Sequence, residues 1–231
     1  MLLRRITEHV RDQNWFAVFL DFFIVVAGIL IAFQITEWNE RSKSSAREAV
    51  ILEQLHAEFA DTLVEMKQAK LDNEEGLAAT RDVLRAIQDG VKPEDDAAFL
   101  KIIRRSGGLN KGSAEPTTLV ELLSSGSLSD LSSPEIRKAL IQYHADFDEF
   151  QAYADIVLQR VSAPTGGFHT TIYVNPDHPE GDLVAKYDWD SLQTAREQFQ
   201  VFYYGKLSLS HCFDRLVESS EAVLSEIEEA Q

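Results

Sequence analysis

The sequence predicts an all-α protein: a single N-terminal transmembrane helix followed by an antiparallel helical bundle of three long and two short helices. Three observations predict it. The 21 residues from Trp15 to Ile35 are almost uninterruptedly apolar; beyond Trp38 apolar residues recur by threes and fours; and 231 residues include only 11 Gly and 6 Pro to interrupt such runs. Hydrophobic residues make up 45% and charged residues 26%, the composition of a chain that folds rather than of a disordered or collagen-like one.

The first fourteen residues carry Arg4, Arg5 and Arg11 against Glu8 and Asp12, a net +1, which leaves −17 of the total −16 to the rest. Leu2, Leu3, Ile6 and Val10 fall on one side of a helix, so this arm suits a cytoplasmic lipid surface; a frayed polar tail is the alternative. The segment WFAVFLDFFIVVAGILIAFQI then forms a helix about 31 Å long, enough for a bilayer core. It runs on to Trp38 without a small-x-small cleavage site, so an uncleaved signal anchor is expected rather than a signal peptide, with Trp15 and Trp38 at the two interfaces. The positive-inside count is a draw, because Arg41, Lys43 and Arg47 follow the span. The short arm staying inside while the acidic remainder is exported breaks the tie. This places 1–14 in the cytoplasm, 15–38 in the membrane and 39–231 outside the cytoplasm.

Within the span Asp21, Gly28 and Ala32 fall within about 20° of one line. Gly28 and Ala32 form a small-xxx-small pair, and an intramembrane acid seeks a partner, so this face is a candidate interface with a second copy or another membrane protein. The competing reading is that Asp21, near the helix end, reaches the headgroups.

Beyond Trp38, Leu52, Leu55, Phe59, Leu63 and Met66 start a helical seam that weakens from Lys67 to Gly76 and resumes at Leu77, Leu84 and Ile87, with Gly76 a candidate kink. Pro93 opens a shorter helix with Asp95 and Asp96 in its first turn, ending at Gly107 and Gly108. Thr117 to Ser125 is a second short helix closed by Gly126. Ser132 and Ser133 are cap candidates for a long helix whose stripe is Ile136, Leu140, Tyr143, Phe147, Phe150, Ala154, Val157 and Val161. A Gly-, Pro- and Asp-rich excursion follows over 164–190, with a short strand placed at His169 to Val174. The last seam is Leu192, Ala195, Phe199, Phe202, Leu209, Phe213, Leu216, Val223 and Ile227, broken by Lys206 and Ser220.

The arm and span, RRITEHVRDQNWFAVFLDFFIVVAGILIAFQITEWNE, together with TLVELLSSGSLSDLSSPEIRKALIQYH, resemble a widespread family of uncharacterised bacterial single-span membrane proteins with an N-terminal anchor and a helical domain. The resemblance covers about two thirds of the chain and is fairly specific in the span and the LLSSGSL turn. It implies a bacterial inner-membrane location, which makes the exported domain 39–231 periplasmic, and brings no activity or catalytic residues.

Composition excludes whole classes of function. With 22 Lys+Arg against 38 Asp+Glu the chain has no basic face for phosphates, so no nucleic-acid partner is expected. One cysteine, Cys212, rules out an internal disulfide and cysteine-based zinc frameworks; beside His211 on a helix it points about 100° away and reads as a small buried residue. Glu53 and His56 form one Glu-x-x-His, half of a di-iron ligand set, without a second. His169, Asp177 and His178 are weak metal candidates at a spacing that is not diagnostic. Lys101, Arg104, Arg105 and Lys111 flank Ser-Gly-Gly-Leu-Asn and form a candidate anion site, the alternative being a solvated loop whose charges pair with nearby acids.

No complete catalytic set and no cofactor site is evident. The expected function is a membrane-anchored interaction or ligand-sensing module, with the bilayer and a span partner, a homo-oligomer included, as its associates. The alternative is a membrane-tethered hydrolase or metal-dependent enzyme built on the 169–178 loop.

Overall fold

A computed structural model describes residues 15–112, 114–161, 171–174 and 184–230. They form six α-helices: α1 (Trp15–Asp89), α2 (Asp96–Gly107), α3 (Thr117–Ser125), α4 (Pro134–Val161), α5 (Trp189–Thr194) and α6 (Arg196–Ala230). A 3-10 turn at Ser127–Asp130 follows α3, and strands β1 (Ile172–Val174) and β2 (Val184–Tyr187) pair antiparallel. The architecture is therefore mostly helical rather than purely α, with a two-stranded hairpin and a third short helix, α5, that periodicity did not separate from the last seam. The strand placed at 169–174 is real over 172–174. Its partner is β2, where Ile172 lies opposite Tyr187.

The apolar segment and the first bundle helix are one element. Helix α1 continues for 75 residues through Trp38 and through Gly76, so helical structure is not interrupted at the candidate kink. The chain divides into two compact units, residues 1–50 and 51–231. In the first unit large apolar side chains from Phe19 to Trp38 are exposed on every side of α1, Phe22 by 66%.

In the second unit the helix pairs follow from their contacts. Asn73 reaches Lys206, Lys70 pairs with Asp214 at 2.5 Å, Lys67 with Glu221 at 2.7 Å and His56 with Glu228 at 3.3 Å, so α1 and α6 are antiparallel. Phe150 lies 4.9 Å from Phe213 ring to ring, and Arg215 of α6 bridges buried Asp146 and Glu149 of α4, so α4 and α6 are antiparallel too. Phe59 meets Tyr143 edge to face at 4.7 Å, which sets α1 beside α4.

Helix ends carry the chemistry their residues suggest. Asp95 is the N-cap of α2, its carboxylate accepting from the Ala98 amide at 2.9 Å, so the helix starts at Asp96 rather than at Pro93 and only Asp96 of the two aspartates lies in its first turn. Gly126 closes α3 at φ +74°, a conformation costly for any residue with a Cβ. Ser133, not Ser132, caps α4, accepting from the Ile136 amide at 3.1 Å.

Two hydrophobic clusters fill the interior. One joins Leu52, Leu55, Phe59 and Met66 to Leu140, Tyr143, Phe147, Phe150 and Leu209 to Ile227. The other joins Val83, Leu84 and Ile87 to Phe99, Ile103, the hairpin and Phe199 and Phe202. All described stripe residues of α4 and of the last seam are buried. On α1, by contrast, Leu63 and Leu77 are only partly buried, and the interior positions are Thr62, Ala69, Asn73, Gly76 and Thr80. The stretch expected to be weak is continuous with the core, lined by small and polar residues.

Candidate functional site

Between the two hydrophobic clusters lies a buried polar layer, built where three helices cross with small side chains. On α1 the residues Asn73, Gly76 and Thr80 are spaced three and four apart and so share the inward face. On α2 Ser106 is fully buried, and on α6 Lys206 occupies the seam position between Phe202 and Leu209 with 2% exposure. The two seam breaks read from the sequence, Lys206 and Ser220, are thus both interior residues.

Gly76 makes this possible. A Cβ there would lie 2.8 Å from Lys206 Nζ, so the missing side chain supplies the room the ammonium occupies. Lys206 Nζ donates to the Gly108 carbonyl just beyond α2. Burial, with no carboxylate facing it among the described residues, pushes its pKa down from the usual 10.5 to about 8. Around it, Asn73 Nδ2 donates to the Lys206 carbonyl at 3.0 Å and to Ser210 Oγ at 2.9 Å. Thr80 Oγ1 donates to the Gly76 carbonyl at 2.7 Å, and Ser106 Oγ to the Ile103 carbonyl at 2.7 Å. The layer is not saturated: Asn73 Oδ1 is buried with no partner among the described residues, as is the Tyr143 hydroxyl deeper in the core.

Above the Gly108 carbonyl a cleft of about 320 Å³ opens, lined by Asp72, Glu75, Arg105, Gly108, Leu109 and Asn110. Arg105 forms an ion pair with Glu75 across it. Asn110 Nδ2 and Gln68 Nε2 donate to Asp72 at 2.7 and 2.9 Å, and these bonds, Asn110's first, hold the Asp72 carboxyl below the usual carboxylate range. Asn110 Oδ1 in turn accepts from the Gly112 amide at 2.9 Å, which shapes the turn.

The residues proposed from sequence fall in several places. Of the basic island, only Arg105 lines the cleft. Arg104 Nε donates to the Val184 carbonyl at 2.7 Å and ties α2 to the hairpin; Lys111 pairs with Asp155 at 2.9 Å; and Lys101 is exposed on α2. Of the Ser-Gly-Gly-Leu-Asn stretch, Ser106 and Gly107 end α2, while Gly108, Leu109 and Asn110 line the cleft together with Asp72 and Glu75. Those two acids were not found by the sequence reading, because nothing local marks which acid of an acidic helix faces a distant loop.

Asp21, Gly28 and Ala32 lie on the first part of α1, exposed, and a Cβ at Gly28 would meet nothing within 4 Å. Glu53 is exposed and His56 faces Glu228. His169, Asp177 and His178 fall outside the described residues, among which no three His, Cys, Asp or Glu side chains come together as a metal site. Cys212 is buried, which raises its thiol pKa, and the neighbouring His211 spends its Nδ1–H on the Leu207 carbonyl at 2.9 Å.

A family model described as a family of unknown function (DUF6090) matches residues 21–194. No curated protein and no solved structure matches the chain.

Proposed function

Since the chain belongs to that family of unknown function, whose match takes in both the apolar segment and the cleft, we propose that it is a single-span protein of a bacterial inner membrane. Its short basic arm remains in the cytoplasm, and its helical domain acts in the periplasm as an interaction or ligand-sensing module. The observation that carries this reading is the apolar part of α1. Its large side chains from Phe19 to Trp38 are exposed around the whole helix, as a segment crossing a bilayer presents them and as soluble surfaces rarely do over such a length. That segment passes without a break into a helix whose inward face bears the polar layer. In the span, the face of Asp21, Gly28 and Ala32 serves for association with a second copy or another membrane helix.

A reporter that works only outside the cytoplasm, fused after Gln231, should be active. A reporter that works only inside, placed at the same position, should be silent; the reverse pattern would overturn the orientation, and loss of both proteins to the soluble fraction would overturn the anchor.

A further inference from the structure

We propose that the cleft between α1, the end of α2 and the Gly108–Asn110 turn binds a small zwitterion of the free α-amino acid class. Its ammonium is received by Asp72 and Glu75 and its carboxylate by Arg105. The proposal rests on the ligand-sensing reading and gives that reading a ligand.

Pair exchange favours a zwitterion. The cleft presents two carboxylates and one guanidinium, with Glu75 already on Arg105 and Asp72 held by two amides. A simple anion on Arg105 would draw the guanidinium away and leave Glu75 unpaired; a simple cation bridging Asp72 and Glu75 would do the same to Arg105. A molecule carrying both charges exchanges the Arg105–Glu75 pair for two new pairs, so that both partners keep an opposite charge. The exchange costs little, because that pair is more than half exposed on both sides and such pairs contribute only about 0–1 kcal/mol.

Shape agrees. A volume of about 320 Å³ lies at the lower end of the ligand-pocket range of about 300–1,000 Å³, so the cleft suits a small metabolite rather than a peptide segment. Leu109, half-buried, offers an apolar wall for an aliphatic side chain. The wall is fixed in advance: Lys206 holds the Gly108 carbonyl from beneath, and Asn110 is held between Asp72 and the Gly112 amide. The buried Asn73 Oδ1, one residue from Asp72 on α1, is an unmet acceptor in the layer under the site.

The test is calorimetric titration of the full chain in detergent micelles at pH 7 with each of the common L-α-amino acids. At least one should bind saturably at one per chain. Its amide, which lacks the carboxylate, and its N-acetyl derivative, which lacks the ammonium, should each bind at least tenfold more weakly. Glu75→Gln and Arg105→Gln, both at exposed positions, should each weaken binding by about tenfold or more with unchanged helical circular dichroism. Failure of every amino acid to bind, equal binding of either single-charge derivative, or undiminished binding by both variants would overturn the proposal. None of these results bears on the membrane placement, which the reporter fusion decides separately.

Discussion

An ammonium that loses its water without gaining a carboxylate lowers its energy by giving up its proton, and Lys206 is in that position. Its ammonium meets the Gly108 carbonyl and the Gly76 backbone, with Asp72, Glu75 and Arg105 farther out at the cleft. Its pKa is about 8 when folded and about 10.5 when unfolded, so below pH 8 both states hold the proton and the burial penalty is fully felt. Between about pH 8 and 10.5 the unfolded chain holds a proton that the folded one does not, and the lysine's contribution to stability rises with pH. Urea unfolding of wild type and Lys206→Met should show this. The difference between them should move in favour of the wild type by up to about 3 kcal/mol from pH 7 to pH 10.5. A difference independent of pH would mean that the amine stays hydrated in the folded chain.

Among the elements, α6 packs closest where it carries no side chain. A Cβ on Gly205 would lie 2.8 Å from Val157 Cγ2 and 3.2 Å from its Cγ1, and a helical valine has essentially one rotamer, so it has nowhere to turn. Gly205→Ala gains up to about 1 kcal/mol of helix propensity and loses about 1–3 kcal/mol to overpacking. The net outcome should be a protein destabilised by about 1 kcal/mol, and thermal melting should show Gly205→Ala combined with Val157→Ala losing less than the two changes added. A Gly205→Ala variant more stable than wild type would place α4 and α6 farther apart. The seams of these helices were legible in the sequence because each of Ile136, Leu140, Tyr143 and Phe150 announces its own burial. What joins them at the candidate site was not. Asn73, Gly76 and Lys206 look like interruptions when taken one chain segment at a time, and only the juxtaposition of α1 with α6 makes the glycine a vacancy for the lysine. Strand β2 escaped notice for the same reason, since its pairing with β1 and the Arg104 bond to Val184 are set across the fold. Helix α2 starts at Asp96 rather than at Pro93 because Asp95, in extended backbone, caps it, a choice that Pro93 and two consecutive aspartates leave open in the sequence.

For the molecule as a whole, the long apolar run was the most readable feature, since twenty or so consecutive apolar residues need no tertiary context to be recognised. Its proposed association face leads to a prediction with an internal control. In a transmembrane-association reporter carrying Trp15 to Trp38, Gly28→Ile should abolish the signal, Ala27→Ile, about 100° away, should leave it, and Asp21→Ala should weaken it less than Gly28→Ile does. Equal signals from wild type and both isoleucine variants would remove the case for that face. The antiparallel pairing of α1 with α6 has a mechanical consequence. His56 lies against Glu228, so the bundle begins and ends at the same edge. A load applied between the start of α1 in the bundle and the end of α6 therefore pulls the two helices apart from that edge like a zipper, breaking His56–Glu228 first, then Lys67–Glu221 and Lys70–Asp214, and reaching the Asn73–Lys206 layer last. Contacts so loaded yield singly at low force, where the same contacts in shear would have to yield together.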